Sequence, residues 1–203
     1  MFAILLLISI LICNTNGIKF SSRKLQKTVK NTIATAVTTL CFSSAAFADS
    51  IPSIGNLAPE FSLPSNRGKE ISLSDYKGKR FVLYTYPGDF TSGCTIEAQA
   101  FERDYSQYKD LGVEILGLSV DSVEKHLDFA KSYNLEFPLV SDKGGVVSTK
   151  LGSSIDIPFI GKFSNRQTYI INDGKVEYVF TDVEGKIAKH SEEVLAKLKS
   201  LSS

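Results

Sequence analysis

Beyond residue 50 the apolar positions fall into a repeating order of short buried runs and helical spacings. "RFVLYTYP", residues 80–87, is apolar and aromatic without clean alternation, which predicts a central strand buried on both faces. Pro87 ends it, because proline has no N–H to give to a ladder. In "TIEAQAFERDYSQYKDLG", Ile96, Ala100, Phe101, Tyr105 and Tyr108 recur at helical spacing, and Gly112 suits the helix C-terminus. "VEILGLSV" reads as a second buried strand. "DSVEKHLDFAKSYN" reads as a helix, with Asp121 or Ser122 as N-cap and Glu124 in the first turn. "FPLVSD" is a short strand, and a short helix follows it. "QTYIINDGKVEYVF" is two strands joined at Asp173-Gly174, a strong hairpin signal. "KHSEEVLAKLKSL" is an amphipathic closing helix with Val194, Leu195 and Leu198 on one face. Ahead of all these, "PEFSLPSNRGKEISLSDYKGK" holds two short β-like runs around the turn-rich "SNRGKE".

Crossover helices require parallel strand pairs, whereas the late hairpin requires an antiparallel one. The sum is an α/β fold: a mixed central sheet flanked by helices on both faces, the thioredoxin-like layout. No repeat, low-complexity tract or linker divides residues 49–203, which read as one domain of common size, about 150 residues.

Charge separates the first 48 residues from the rest. The first acidic residue is Asp49, and five basic ones precede it: Lys19, Arg23, Lys24, Lys27 and Lys30. Residues 49–203 therefore hold all 22 acidic residues against 18 basic ones (23 less five), a net −4. That balance gives no reason to expect nucleic-acid binding. "MFAILLLISILIC" is an uncharged apolar run of 13 residues, short of the roughly 20 that span a bilayer and suited to the core of a secretory signal. "IKFSSRKLQKTVKNTIATAVTT" has transit-peptide composition, and Ala46-Phe47-Ala48 fits a small-x-small cleavage site. The expectation is a bipartite leader over 1–48, with a signal peptide to about residue 17 and a transit and lumenal signal from about 18. It would send the protein to a plastid through the secretory route and on to the thylakoid lumen. The other reading is a secreted or endomembrane protein. No Asn-x-Ser/Thr site occurs. Cleavage after Ala48 would remove Cys13 and Cys41, leave Cys94 as the one cysteine, and leave no stable membrane span.

Candidate chemistry gathers at "YPGDFTSGCTIEAQAFE", residues 86–102. Cys94 falls in or next to the first turn of a helix that follows a buried strand. Unpaired N–H groups and the positive helix end favour an anion there, and a thiolate, not a thiol, is the nucleophile. A buried cysteine is otherwise often a plain core residue. Thr91, three residues earlier, offers a hydroxyl that both donates and accepts, though threonine equally suits an N-cap. Pro87 is either a strand breaker or a wall that shields Cys94 from water. Arg166 opens the strand "RQTYII" with a permanently charged, multi-donor guanidinium. His126 and His190, the two histidines, lie among polar neighbours and are expected at the surface. No metal site, nucleotide motif or bound cofactor is expected.

The run P-G-D-F-T-S-G-C, that is Pro87-x-x-x-Thr91-x-x-Cys94, resembles the active-site motif of peroxiredoxins. "GCTIEAQAFERD", with Glu97 three residues after Cys94, is similar to the branch called peroxiredoxin Q or bacterioferritin comigratory protein. "GNLAPEFSLPSNRGKEISLSDYKGK" and "RQTYIINDGKV" resemble it too, so that the likeness spans nearly all of residues 54–200. The resemblance implies a thiol-dependent peroxidase acting on hydrogen peroxide and organic hydroperoxides. Cys94 would be the peroxidatic cysteine and pass to sulfenic acid. Thr91 and Arg166 would bind and polarise the peroxide, Pro87 would shield the sulfur, and Glu97 would orient an arginine. A monomer suits the branch.

One position departs from the pattern. Many members of this branch carry a resolving cysteine five residues after the first, and here that residue is Gln99. Reduction would then fall to an external thiol: thioredoxin, or glutaredoxin with glutathione. Glutathione peroxidases need a tryptophan, which is absent, and thioredoxin-type oxidoreductases need C-x-x-C, also absent. A reading from another class remains, a noncatalytic thioredoxin-like binding or holdase protein that kept the motif without turnover.

Overall fold

The computed structural model describes residues 50–202. The leader expected over 1–48 lies outside the described residues, and so does any cleavage site within it. Among the described residues no helix is long and apolar enough to cross a membrane.

A hairpin comes first, β1 (Ser62–Pro64) against β2 (Glu70–Ser72), followed by a 3-10 turn at Leu73–Tyr76. Then come β3 (Arg80–Thr85), α1 (Ser92–Asp110), β4 (Glu114–Ser119), α2 (Val123–Tyr133) and β5 (Leu139–Ser141). The short α3 (Val146–Lys150) leads to a small hairpin, β6 (Ser154–Ile157) and β7 (Gly161–Ser164). The chain ends with β8 (Gln167–Asn172), β9 (Lys175–Phe180), a 3-10 segment at Glu184–Lys189 and α4 (His190–Leu201).

The central sheet has the order β5-β4-β3-β8-β9, with β3, β4 and β5 parallel and β8 and β9 antiparallel. This is the expected mixed sheet in a thioredoxin-like fold. β3 sits at its centre because its side chains are apolar toward both faces. Val82 and Tyr84 join one core cluster, and Phe81 and Leu83 join the other. At the Asp173-Gly174 turn both φ angles are positive, 48° and 74°, which matches the right-handed twist of β8 and β9.

The helices divide unequally between the faces. The connections β3–α1–β4 and β4–α2–β5 both step the same way across the sheet. Right-handed crossover then puts α1 and α2 on one face, and the short α3 lies on the other, so helices flank both faces but unequally. Phe101, Tyr108, Phe129, Val194 and Leu198, from α1, α2 and α4, pack there with Val82, Tyr84 and Ile170 of the sheet. The opposite face is covered by the first hairpin, the 3-10 turn and α3, through Phe61, Ile71, Leu73, Tyr76 and Val147. Gly117 of β4 permits close packing over the first face, since a Cβ there would meet Leu139 Cδ2 at 2.6 Å and the Tyr84 hydroxyl at 2.8 Å.

Three sequence expectations are corrected. Ile96 does not share the buried stripe of α1; it is exposed, and the stripe runs through Cys94, Ala98, Phe101, Tyr105 and Tyr108. His126 and His190 are not surface residues, for both are fully buried. Their sequence neighbours are polar, but helix phase turns His126 inward with Phe129 and Ala130, and His190 inward with Val194. The hairpin β6–β7 is an element beyond those expected; Pro158 and Gly161 flank its turn, but the apolar Phe159-Ile160 between them lacks the polar residues that mark the other turns.

Candidate active site

β3 delivers the chain to the site. Tyr86 N–H bonds to Leu118 O at 3.1 Å, extending the pairing with β4, and Pro87 then turns the chain out of the sheet. The loop runs through Gly88, Asp89 and Phe90 to Thr91, the N-cap position of α1. Thr91 is extended (φ −76°, ψ 148°), and Thr95 N–H closes the first turn onto Thr91 O at 2.9 Å. Cys94 is the third residue of α1, at the positive end of the helix, and its side chain is 1% exposed.

β8 brings the arginine. Thr85 pairs with Gln167 in the antiparallel register, so Arg166 falls beside the point where β3 ends. Thr85 Oγ1 fastens this crossing by donating to Asn165 O at 2.7 Å. The Arg166 guanidinium then spends its donors on three partners. Nη2 donates to Cys94 Sγ at 3.3 Å, Nη1 to Glu97 Oε2, and Nε to Glu184 Oε1 at 3.1 Å. Glu97 lies three residues along α1 from Cys94, hence on the same face, and is fully buried rather than set on the helix surface. Glu184 arrives from the 3-10 segment that covers the site and is itself well exposed.

The charges are finely balanced. Burial opposes the Arg166 charge, but Glu97 and then Cys94 outweigh it, and the guanidinium holds its proton more tightly than usual. Burial pushes the Glu97 carboxyl up to about 7, against the pull of Arg166. Its Oε1 has no hydrogen-bond partner among the described residues, which fits a carboxylate short of stabilisation. Space is as tight as charge. A Cβ on Gly93 would meet Arg166 Nη2 at 3.2 Å and Ile187 Cδ1 at 3.4 Å.

Of the expected residues, Cys94, Arg166 and Glu97 are in direct contact. Thr91 stands at the rim and exposed, and Pro87 is half-buried where the loop begins. The Thr91 hydroxyl makes no N-cap bond and donates to Gly88 O at 3.0 Å. Its proton is engaged there, so its lone pairs are what it offers a ligand. Sequence reasoning missed Glu184 and Gly93. Glu184 sits in "TDVEGK", which carries no motif, while the glycine beside the cysteine was visible but had no partner until Arg166 was placed next to it.

Residues 54–179 match the AhpC/TSA family. The chain is a peroxiredoxin of that family. This peroxiredoxin is 41% identical over 148 residues to the chloroplastic peroxiredoxin Q of Triticum aestivum, a match covering 72% of this chain and 67% of that one. It is 40% identical over 148 residues to the chloroplastic peroxiredoxin Q of Sedum lineare, over 72% and 78% of the two chains. Its fold matches a Cys-to-Ser mutant of PrxQ from Xylella fastidiosa, with a TM-score of 0.69, 29% identity and coverage of 76% and 99%. It also matches the Xanthomonas campestris bacterioferritin comigratory protein, studied for its alkyl peroxide reduction activity (TM-score 0.65, 30% identity, 70% and 92% covered). The chain is therefore a thiol-dependent peroxidase, and the reading as a noncatalytic binding protein is not favoured.

Proposed function

We propose that this peroxiredoxin works through Cys94 alone, with an external thiol as its reductant. The observation that carries the reading is the 3.3 Å contact of Arg166 Nη2 with Cys94 Sγ, combined with an exposed Gln99 where a resolving cysteine would stand. The thiolate attacks one oxygen of a hydroperoxide, ROOH. The O–O bond breaks as the S–O bond forms, giving Cys94 sulfenic acid and RO⁻, which takes up a proton as ROH. Arg166 faces the charge that passes from sulfur to the leaving oxygen, and such preorganised donors are a large source of rate enhancement. Glu97 holds the guanidinium in place, Thr91 accepts from the peroxide O–H, and Pro87 screens the sulfur. A first reductant thiol then displaces water to form a mixed disulfide. A second thiol releases Cys94 and leaves as the oxidised reductant.

Hydrogen peroxide and alkyl hydroperoxides are the proposed substrates, thioredoxin or glutaredoxin with glutathione the reductant, and a monomer the working form. The plant relatives are named chloroplastic, which supports a plastid. The leader supports the finer reading, the thylakoid lumen reached through the secretory route, with cleavage after Ala48. Sequencing the N-terminus of the natural protein tests this; a start near Asn14 or Asn16 with Lys19–Ala48 retained sinks it.

The chemical test is a stopped-flow measurement on the chain with Cys13→Ser and Cys41→Ser, with and without Cys94→Ser. Peroxide is added first, then each thiol donor. Rapid oxidation that needs Cys94 and turns over with one donor upholds the reading. Oxidation no faster than a free thiol, or rapid oxidation that no thiol donor turns over, defeats it.

A further inference from the structure

The loop that leads to Cys94 is anchored by a buried polar cluster set apart from the Cys94–Arg166 contact. Asp89, 3% exposed, is its hub. Tyr86 OH donates to Asp89 Oδ1 at 2.7 Å, and His126 Nδ1 lies 2.7 Å from Asp89 Oδ2. His126 Nε2 lies 3.1 Å from Val140 O. A carbonyl oxygen only accepts, so Nε2 carries a hydrogen. Nδ1 faces a carboxylate oxygen, so one further proton must lie between those two atoms. The pair is fully hydrogen-bonded at a depth where an unpaired group would be costly.

The backbone is fixed at the same point. Asp89 N–H donates to Asp121 Oδ2 at 2.7 Å. The next residue, Phe90, has φ +64°, a left-handed conformation that a bulky residue rarely adopts. Such a conformation persists only where its surroundings over-determine it. Its ring meets Phe129 at 5.2 Å and Tyr133 at 6.2 Å, both on α2, the helix that carries His126. Every one of these anchors holds the chain between Tyr86 and Thr91, and Cys94 follows three residues later.

We propose that His126, acting through Asp89, is a positioning residue that holds the Cys94 loop in its peroxide-reactive geometry. The proposal rests on Cys94 being the peroxidatic cysteine. It touches neither substrate nor sulfur, so its signature is geometric: the peroxide rate should fall while general access to the sulfur rises.

The test measures two rates for Cys94 in the full chain with Cys13→Ser and Cys41→Ser. One is oxidation by hydrogen peroxide; the other is alkylation by iodoacetamide. The variants are Tyr86→Phe, Asp89→Asn and His126→Gln, each assayed well below its melting temperature, with Cys94→Ser as blank. Misplacement by about 1 Å can cost on the order of 10²-fold, so Asp89→Asn and His126→Gln should lose roughly that much peroxide rate. Their alkylation rate should rise, and Tyr86→Phe, which removes one hydroxyl and keeps the core filled, should show the same pattern more weakly. If His126→Gln does not fold, Tyr86→Phe and Asp89→Asn decide the matter. Folded variants with unchanged peroxide rates overturn the proposal, as do variants in which both rates fall by one common factor. A parent protein whose Cys94 reacts no faster than a free thiol overturns the assignment of Cys94 first, and the proposal with it.

Discussion

Arg166 and Cys94 meet through a single donor, Nη2 to Sγ at 3.3 Å, because the other two faces of the guanidinium are already taken by Glu97 and Glu184. A fork with fixed geometry can serve three acceptors at once; an ammonium cannot do so in the same plane. Arg166→Lys keeps the charge and removes the fork. Loss of one such donor costs about 10²–10³ in rate, so the second-order rate of Cys94 oxidation should drop by that order. Stopped-flow oxidation checks it, and a loss below threefold would show that charge alone suffices.

Gly93 sets how closely α1 approaches the arginine. Adding one methyl places a carbon 3.2 Å from Arg166 Nη2 and 3.4 Å from Ile187 Cδ1. Gly93 is helical and its φ lies outside the left-handed region, so alanine costs no backbone strain there. Gly93→Ala should therefore fold normally, displace the guanidinium or Ile187 by a few tenths of an ångström, and slow oxidation by roughly tenfold. Circular dichroism and the same kinetic assay separate the two effects. An unchanged rate would mean that Ile187 alone gives way.

The central sheet and its Asp173-Gly174 turn were legible because a continuous apolar run and Asp-Gly chemistry are local signals, written within β3 and between β8 and β9. So was the contact of Cys94 with Arg166, though only through the motif and the strand that follows it, since 71 residues of intervening chain hide the approach. What stayed hidden depends on long-range phase. His126 and His190 have polar neighbours in sequence, yet both complete an inward helix face whose direction is fixed by packing on the sheet. Glu184 has no local signature at all; its role exists only because the 3-10 segment folds back over α1. The direction of the two crossovers, which gathers the long helices on one face, follows from strand order, and strand order is not periodic.

Gln99 offers a way to rebuild a second cysteine. Residues 94 and 99 are five apart on α1, so their Cα atoms lie roughly 8 Å apart, beyond the limit of about 7 Å for a disulfide without backbone movement. In a chain with Cys13→Ser, Cys41→Ser and Gln99→Cys, peroxide should still yield an intramolecular disulfide, but only with the start of α1 unwound. Mass spectrometry would record the loss of two hydrogens, and hydrogen exchange would show lost protection over the first turns of α1 in the oxidised form. A disulfide with that protection intact would contradict the helix geometry.

Glu97 and His190 make opposite contributions to stability over nearly the same pH range. Burial raises the Glu97 carboxyl from 4.5 to about 7 on folding. The native state then binds more protons than the unfolded state between those values, so this contribution is full below pH 4.5 and is lost as pH rises through 7. Burial first, then Arg166 and Lys186, lower the His190 imidazole from 6.5 to about 4. There the unfolded state binds more protons, so stability is lost as pH falls from 6.5 toward 4. Each full proton difference is worth about 1.4 kcal/mol per pH unit, and between pH 4.5 and 6.5 the two slopes oppose each other. Glu97→Gln should therefore steepen the loss of stability below pH 6.5 and abolish the decline between pH 6.5 and 7, where the parent's Glu97 gives up its proton. His190→Gln should do the reverse, giving a protein whose stability declines from pH 4.5 to 6.5 relative to the parent. Urea unfolding across pH 4.5–8 measures both differences. Parallel shifts of the two variants, with no change of slope against the parent, would mean that neither group titrates between its folded and unfolded values as burial requires.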